Sequence, residues 1–433
     1  MHCKHFVSGL LAATLLTGVA HASTVTVNGG GSSLAYPTYV ADFAAYSTAE
    51  SNKQLFSYEA VGSGAGQNAF LKNSISYFQP ISTSNPNGYA AGTLTYGKIV
   101  GTEVDFGASD AFLSATQLTN AATGSYGTAT EGSAVDGPLI QIPTLGTPIT
   151  IPFNESGVTS GLTLTDTQLC GVLSGKITDW HSLVSTIPAG TTIQVVYRSD
   201  SSGTSFLLTN HLAAVCTTSN SKVTFTAQKV FASEFPSSTP PANFTGASGS
   251  GGVAKALLAT SNSFGYLSPD YTSIAPGSAN TTSLQVASVV NASDKTAYAP
   301  TVANTTTGLK DPGTGATNGT PPSTLAQAQN PLNWVPSIPV TKHGYPIVGY
   351  TTVDISSCYS NATRGKIILT ILKDILPSSG SYATIATNNG FVTLQASGAS
   401  KFYTAVKADF LSNTSGFNLD IDDATTCAAY SGR

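Results

Sequence analysis

The sequence predicts an α/β protein of two domains, and three observations carry that prediction. The chain has 433 residues with 41% hydrophobic content, longer than one core ordinarily serves and rich enough to build two. From residue 24 to about 150, strand-like runs alternate with helical patterns, the signature of a parallel or mixed sheet covered by helices. Residues 139–154, LIQIPTLGTPITIPFN, place two β-type segments in one apolar run that reads as a crossing between domains.

Taken in order, the chain opens on Lys4 and two histidines ahead of a short apolar stretch, residues 6–19, that ends in Ala20-His21-Ala22. This reads as a signal peptide over residues 1–22, with cleavage near Ala22. Strands are expected at 24–28 and 55–61 and helices at 38–49 and 67–73. SNPNGYAAG, residues 84–92, has turn signals and no period, so it reads as a surface insertion. GTLTYGKI, residues 92–99, has P-loop spacing but Ile99 in place of the magnesium-binding Ser or Thr, a coincidental match. Thr165 and Gln168 stand at capping-box spacing ahead of an amphipathic helix reaching Gly175. Residues 299–333 lack periodicity and read as a long loop, followed by a strand at 345–355 and helices at 363–376 and 400–411.

Composition narrows the function. Charged residues make up 9% of the chain and the net charge is -4, so no basic surface exists to displace counterions from nucleic acid. The Ser, Thr, Asn and Gly content suits an exported, periplasmic or secreted protein. No later segment approaches the roughly 18 uninterrupted apolar residues of a membrane helix, so no membrane insertion is expected. With Cys3 removed, Cys170, Cys216, Cys358 and Cys427 remain. An even number in an oxidising compartment suggests two disulfides. Proximity favours Cys170 with Cys216 and Cys358 with Cys427, out of three possible connectivities.

The stretch IQVVYRSDSSGTSFLLTNHLAAVC, residues 193–216, carries the chemistry. A strand end, a small-residue turn and a helix start make an anion site, because the first helical N–H groups are unpaired and the helix dipole favours negative charge. Ser202 and Thr204 add hydroxyl donors. Arg198 adds a planar fork and is one of only three arginines, with Arg364 and Arg433. NGGGSSLAYP (28–37) and VGSGAGQNAF (61–70) read as further Gly-rich turns opening helices. In VDFGASDAFLS (104–114), Asp110 follows a strand and a small-residue corner. A carboxylate in an anion site accepts a hydrogen bond from a protonated oxyanion such as phosphate and repels an unprotonated one such as sulfate.

These motifs, with LCGVLSGKITDW, FGYLSPDY, YPIVGY and the flanking cysteines, occur in an order that resembles the PstS-like phosphate-binding proteins of phosphate ABC importers, in their longer DING-type branch. The resemblance spans nearly the whole mature chain. It implies a type II periplasmic-binding-protein fold, in which each lobe is a mixed sheet flanked by helices and a hinge joins the two. Residues 23–149 with 342–433 would form one lobe and 150–341 the other. It implies a phosphate site lined by Ser33, the Leu34 N–H, Ser63, Asp110, Arg198, Ser202, Gly203 and Thr204, with Asp200 holding the Arg198 fork. Inorganic phosphate is the implied ligand and an ABC permease the candidate partner, with a monomer and no cofactor or metal expected. The sequence departs from the DING signature at Thr26-Val27, at Ala35 and in an insertion over residues 84–97.

Two other classes stay in view. Some DING-like relatives are described as phosphatases, but the mature chain keeps only His181, His211 and His343, scattered, and has no GxSxG elbow. A secreted interaction or adhesion protein on the same fold is the other.

Overall fold

In the computed structural model, residues 25–51, 55–122, 133–275, 277–278, 282–317 and 319–433 are described. The expected signal peptide, its cleavage site and Thr24 lie outside them. The chain begins with β1 (Val27–Gly31), α1 (Tyr36–Ala49), β2 (Phe56–Glu59), α2 (Ser63–Leu71), β3 (Thr95–Tyr96) and β4 (Phe106–Ser109). After α3 (Ala115–Ala122), the short α4 (Ser133–Asp136) and the long β5 (Leu139–Pro148), it enters β6 (Pro152–Asn154), β7 (Thr163–Leu164), α5 (Asp166–Leu173), β8 (Gln194–Arg198) and α6 (Gly203–Val215). There follow β9 (Phe244–Ala247), α7 (Gly249–Ala259), β10 (Ser263–Gly265), β11 (Gln285–Val286), β12 (Ser288–Val290), β13 (Ala297–Tyr298), α8 (Val302–Lys310) and α9 (Leu325–Ala328). The last segment carries β14 (Val348–Ser356), α10 (Ala362–Ile375), α11 (Ser381–Asn388), β15 (Val392–Thr393), α12 (Ser400–Asp409) and α13 (Ala424–Cys427).

Two mixed sheets organise these elements. The first has seven strands in the order β15-β5-β14-β4-β1-β2-β3, and the second has five, β11-β6-β10-β8-β9. A small third sheet joins β13, β12 and β7. Within the first, β1 runs parallel to β2 and β4, while β14 runs antiparallel to β4 and β5. The apolar run over residues 139–154 divides as expected, with β5 in the first sheet and β6 in the second. At the crossing, Thr150 and Leu267 exchange backbone hydrogen bonds of 2.9 and 3.0 Å. Tyr345 donates its hydroxyl to the Ile149 carbonyl at 2.8 Å.

Side-chain chemistry explains the local structure. Phe43 of α1 stacks on Phe56 of β2 with ring centroids 4.1 Å apart, which seats the helix on the sheet. The Thr165 and Gln168 capping box forms at the start of α5. Disulfides join Cys170 to Cys216, tying α5 to the end of α6, and Cys358 to Cys427. Among the described residues, no helix is long and apolar enough to cross a membrane.

Two expectations need correction. Asn28 to Gly31 belong to β1 rather than to a turn, and the turn is confined to the residues between β1 and α1. Glycine is required there because a Cβ on Gly31 would lie 2.1 Å from the Ala108 carbonyl oxygen and 3.0 Å from the Gly66 Cα. Residues 299–333 are not one long loop, since α8 and α9 lie inside them. The Thr301 side chain caps α8 by accepting from the Asn304 N–H. Its inner face, Thr305, Gly308 and Leu309, is too polar to show a hydrophobic period. Leu309 reaches Gly146 of the first sheet.

Candidate anion-binding site

Four segments converge where the two sheets face each other. β8 ends at Arg198, and the turn after it delivers Ser202 as the N-cap of α6, its hydroxyl oxygen accepting from the Ser205 N–H at 3.2 Å. Gly203 and Thr204 are therefore the first residues of α6, where backbone N–H groups have no partner within the helix. From the first sheet come Ser33 and Leu34, in the turn before α1, Ser63 at the start of α2, and Asp110 directly after β4. All of these are buried, with Arg198 only 1% exposed.

Arg198 is held on both sides. Its Nε and Nη2 donate to the two carboxylate oxygens of Asp200 at 2.7 and 2.5 Å, the fork-to-fork geometry that fixes a guanidinium plane. Its Nη1 donates to Thr204 Oγ1 at 3.1 Å, and its backbone N–H to the Tyr266 hydroxyl at 3.0 Å. Burial works to raise the Asp200 pKa, but the Arg198 charge and its hydrogen bonds prevail and hold it below the usual range. Asp200 is thus a carboxylate near neutral pH, paired with Arg198.

Asp110 sits in different surroundings. Burial pushes its pKa up to about 6, opposed by the Ser32 hydrogen bond and the Arg198 charge. Ser32 Oγ donates to it at 2.5 Å and Ser63 Oγ at 3.3 Å, while the Asp110 N–H donates to Ser63 Oγ at 3.0 Å. Each of its oxygens thus accepts one serine hydroxyl and keeps acceptor capacity. Ser32 serves Asp110, which leaves Ser33 as the serine of this turn that reaches the opposite lobe.

The two halves touch directly. The Gly64 N–H donates to the Ser201 carbonyl at 2.9 Å, and Lys229 Nζ donates to Gln67 Oε1 at 2.7 Å. Phe112 and Phe206 pack edge to face with centroids 4.9 Å apart. A Cβ on Gly203 would lie 2.5 Å from both the Asp110 Cβ and Ser63 Oγ, so glycine is what lets α6 approach β4.

The structure thus brings every predicted site residue to one place, and it adds Ser250. The Ser250 N–H donates to Ser33 Oγ at 3.0 Å, its Oγ lies 3.2 Å from Ser33 Oγ, and the Gly249 N–H donates to Asp200 at 3.0 Å. The available signal was ASGSGG, residues 247–252, another small-residue turn opening a helix. Its strand, β9, is four residues long and partly exposed, with too little alternation to flag the turn after it.

Comparison with known proteins gives a consistent answer. The family model described as PBP superfamily domain matches residues 17–312. Alkaline phosphatase L of Pseudomonas aeruginosa is 33% identical over 426 residues, 98% of each chain. A phosphate-binding protein from an unknown prokaryotic organism is 32% identical, covering 93% of this chain and 98% of that one. Among solved structures, the high-affinity periplasmic phosphate-binding protein PfluDING, bound with phosphate, matches with a TM-score of 0.73 at 30% identity, covering 94% of this chain and 99% of its own. The phosphate-binding protein of Stenotrophomonas maltophilia gives 0.71 at 31% identity, covering 95% and 100%. The two sheets are accordingly the frames of a two-lobed periplasmic-binding fold, and the chain belongs to the PBP superfamily, in the DING-type branch of the PstS-like phosphate-binding proteins.

Proposed function

We propose that this chain binds inorganic phosphate with high affinity in the cleft between its lobes, for uptake or scavenging outside the cytoplasm. The observation that carries the reading is the pairing of a clamped Arg198 with Asp110, a buried carboxyl that accepts hydrogen bonds in the same site. Mono- and dihydrogen phosphate bring both the negative oxygens that Arg198, the α6 N–H groups and the serine and threonine hydroxyls take and the proton that Asp110 takes. For an unprotonated oxygen about 4 Å away, repulsion from Asp110 costs on the order of 4 kcal/mol at an effective dielectric near 20, roughly a thousandfold in affinity.

In this reading Ser33, the Leu34 N–H, Ser63, Asp110, Arg198, Ser202, Gly203 and Thr204 hold the anion and Asp200 orients Arg198. The lobes are residues 23–149 with 342–433, and 150–341. The protein works as a monomer in the periplasm or secreted, handing its ligand to an ABC permease. Titration calorimetry on phosphate-stripped protein tests the reading: tight phosphate binding with little sulfate binding supports it, and equal affinities sink it.

The relatives named alkaline phosphatase L raise phosphomonoester hydrolysis as a second reading. Turnover of a phosphomonoester that is lost in Arg198→Ala yet survives metal chelation would favour it over binding alone.

A further inference from the structure

Ser250 touches both sides of the cleft. It is the second residue of α7, an eleven-residue helix, and it is fully buried. It accepts a long hydrogen bond from Arg198 Nη1 at 3.5 Å on its own lobe. Across the cleft it meets Ser33 twice, through its N–H at 3.0 Å and through its hydroxyl at 3.2 Å.

Either hydroxyl could donate in the 3.2 Å contact between the two serines, and one of the two arrangements makes a continuous chain from Arg198 to the cleft. A serine hydroxyl has one hydrogen and two acceptor lone pairs, while a guanidinium only donates. Ser250 Oγ therefore accepts from Arg198 and keeps its own hydrogen to give. In that arrangement Ser33 Oγ accepts the Ser250 N–H on one lone pair and the Ser250 hydroxyl on the other. With both lone pairs filled, the Ser33 hydrogen has only the cleft left to serve.

Resting on the phosphate reading above, the geometry points to Ser250 as a positioning residue. It passes the polarity of Arg198 across the cleft, in the sequence Arg198 to Ser250 to Ser33 to anion, and fixes Ser33 as a donor. Chains of hydrogen bonds polarise one another, so the last donor is strengthened. Ser33 then offers only a hydrogen while ionised Asp110 offers only lone pairs. The bound anion is held in one orientation, with a bare oxygen at Ser33 and its protonated oxygen at Asp110. The α7 start supports both ends of this relay, because the Gly249 N–H also holds Asp200.

The test is titration calorimetry with inorganic phosphate on the wild type, Ser250→Ala, Ser33→Ala and the double variant, with ligand-free melting curves of all four. Alanine is the best helix former, so the first substitution leaves α7 intact. Ser250→Ala is expected to weaken binding about tenfold, one hydrogen bond's worth. In the Ser33→Ala background the same change is expected to cost less than about twofold, because contacting residues in one network are not additive. Wild-type affinity in Ser250→Ala overturns the relay, and so do losses that multiply in the double variant. A lowered Tm with the same affinity loss in both backgrounds marks a merely structural serine and overturns it too. A wild type that fails to bind phosphate removes the phosphate reading, and the relay with it.

Discussion

In the proposed phosphate site Arg198 and Asp110 divide the work, and their surroundings set the division. Arg198 is clamped by Asp200 at 2.7 and 2.5 Å, so what it offers the ligand is a fixed direction. Arg198→Ala is expected to lower phosphate affinity more than about a hundredfold, since charge-assisted hydrogen bonds are the strong ones. It also leaves the part-buried Asp200 carboxylate without its partner, at a cost of about 1–3 kcal/mol. Urea unfolding reads that loss, which position in the sequence alone does not foresee. Asp110→Asn is expected to narrow the ratio of phosphate to sulfate affinity, because the amide no longer repels an unprotonated oxygen; an unchanged ratio in calorimetry counts against the role given to Asp110. The same carboxyl makes ligand-free stability depend on pH. Its pKa rises from 3.8 to about 6 on burial, so the folded protein keeps a proton that the unfolded chain releases. The contribution is therefore fully present below about pH 4 and falls by about 3 kcal/mol as the pH climbs past 6. The difference between wild type and Asp110→Asn, measured at pH 4 and at pH 7, isolates it.

At the scale of elements, the sequence was most legible where one side chain performs a local task. The capping box of Thr165 and Gln168 and the strand, turn and helix around Arg198 stand where their residue types placed them. Legibility failed where the controlling contacts are distant. The triple glycine of β1 looks like a turn until Ala108 and Gly66 are seen pressed against it. The start of α8 is set by one threonine cap and its burial by a face with a single leucine. The first disulfide has an element-scale consequence, because it locks α5 to the far end of the helix whose start belongs to the proposed site. The bridged cysteines are 46 and 69 residues apart, spans worth about 4 kcal/mol each in the chain-entropy model. Replacing Cys170 and Cys216 with alanine is expected to lower unfolding stability by about that amount in urea while leaving phosphate affinity within about threefold, since the proposed site uses only the other end of α6.

At the scale of the molecule, the lobes meet through protein contacts as well as through any ligand. Lys229 on one lobe grips Gln67 on the other, and the Gly64 N–H grips the Ser201 carbonyl. Lys229→Met is expected to speed phosphate release about tenfold in stopped-flow measurements, the loss of one interlobe hydrogen bond, with a smaller effect on capture. The two-lobed plan was legible from the crossing at residues 139–154, whereas the contact surfaces between lobes were not, because they unite segments far apart in the sequence, such as Gln67 with Lys229 and Phe112 with Phe206. The Arg198 and Asp200 pair has one more consequence, for how the molecule behaves in different media. Their opposite charges cancel within a few ångströms, and the chain as a whole carries -4, so almost no attractive field extends into the solvent. Added salt has little to screen over a Debye length of about 8–10 Å, and both the speed of capture and the final affinity should hold nearly constant from dilute buffer to brine.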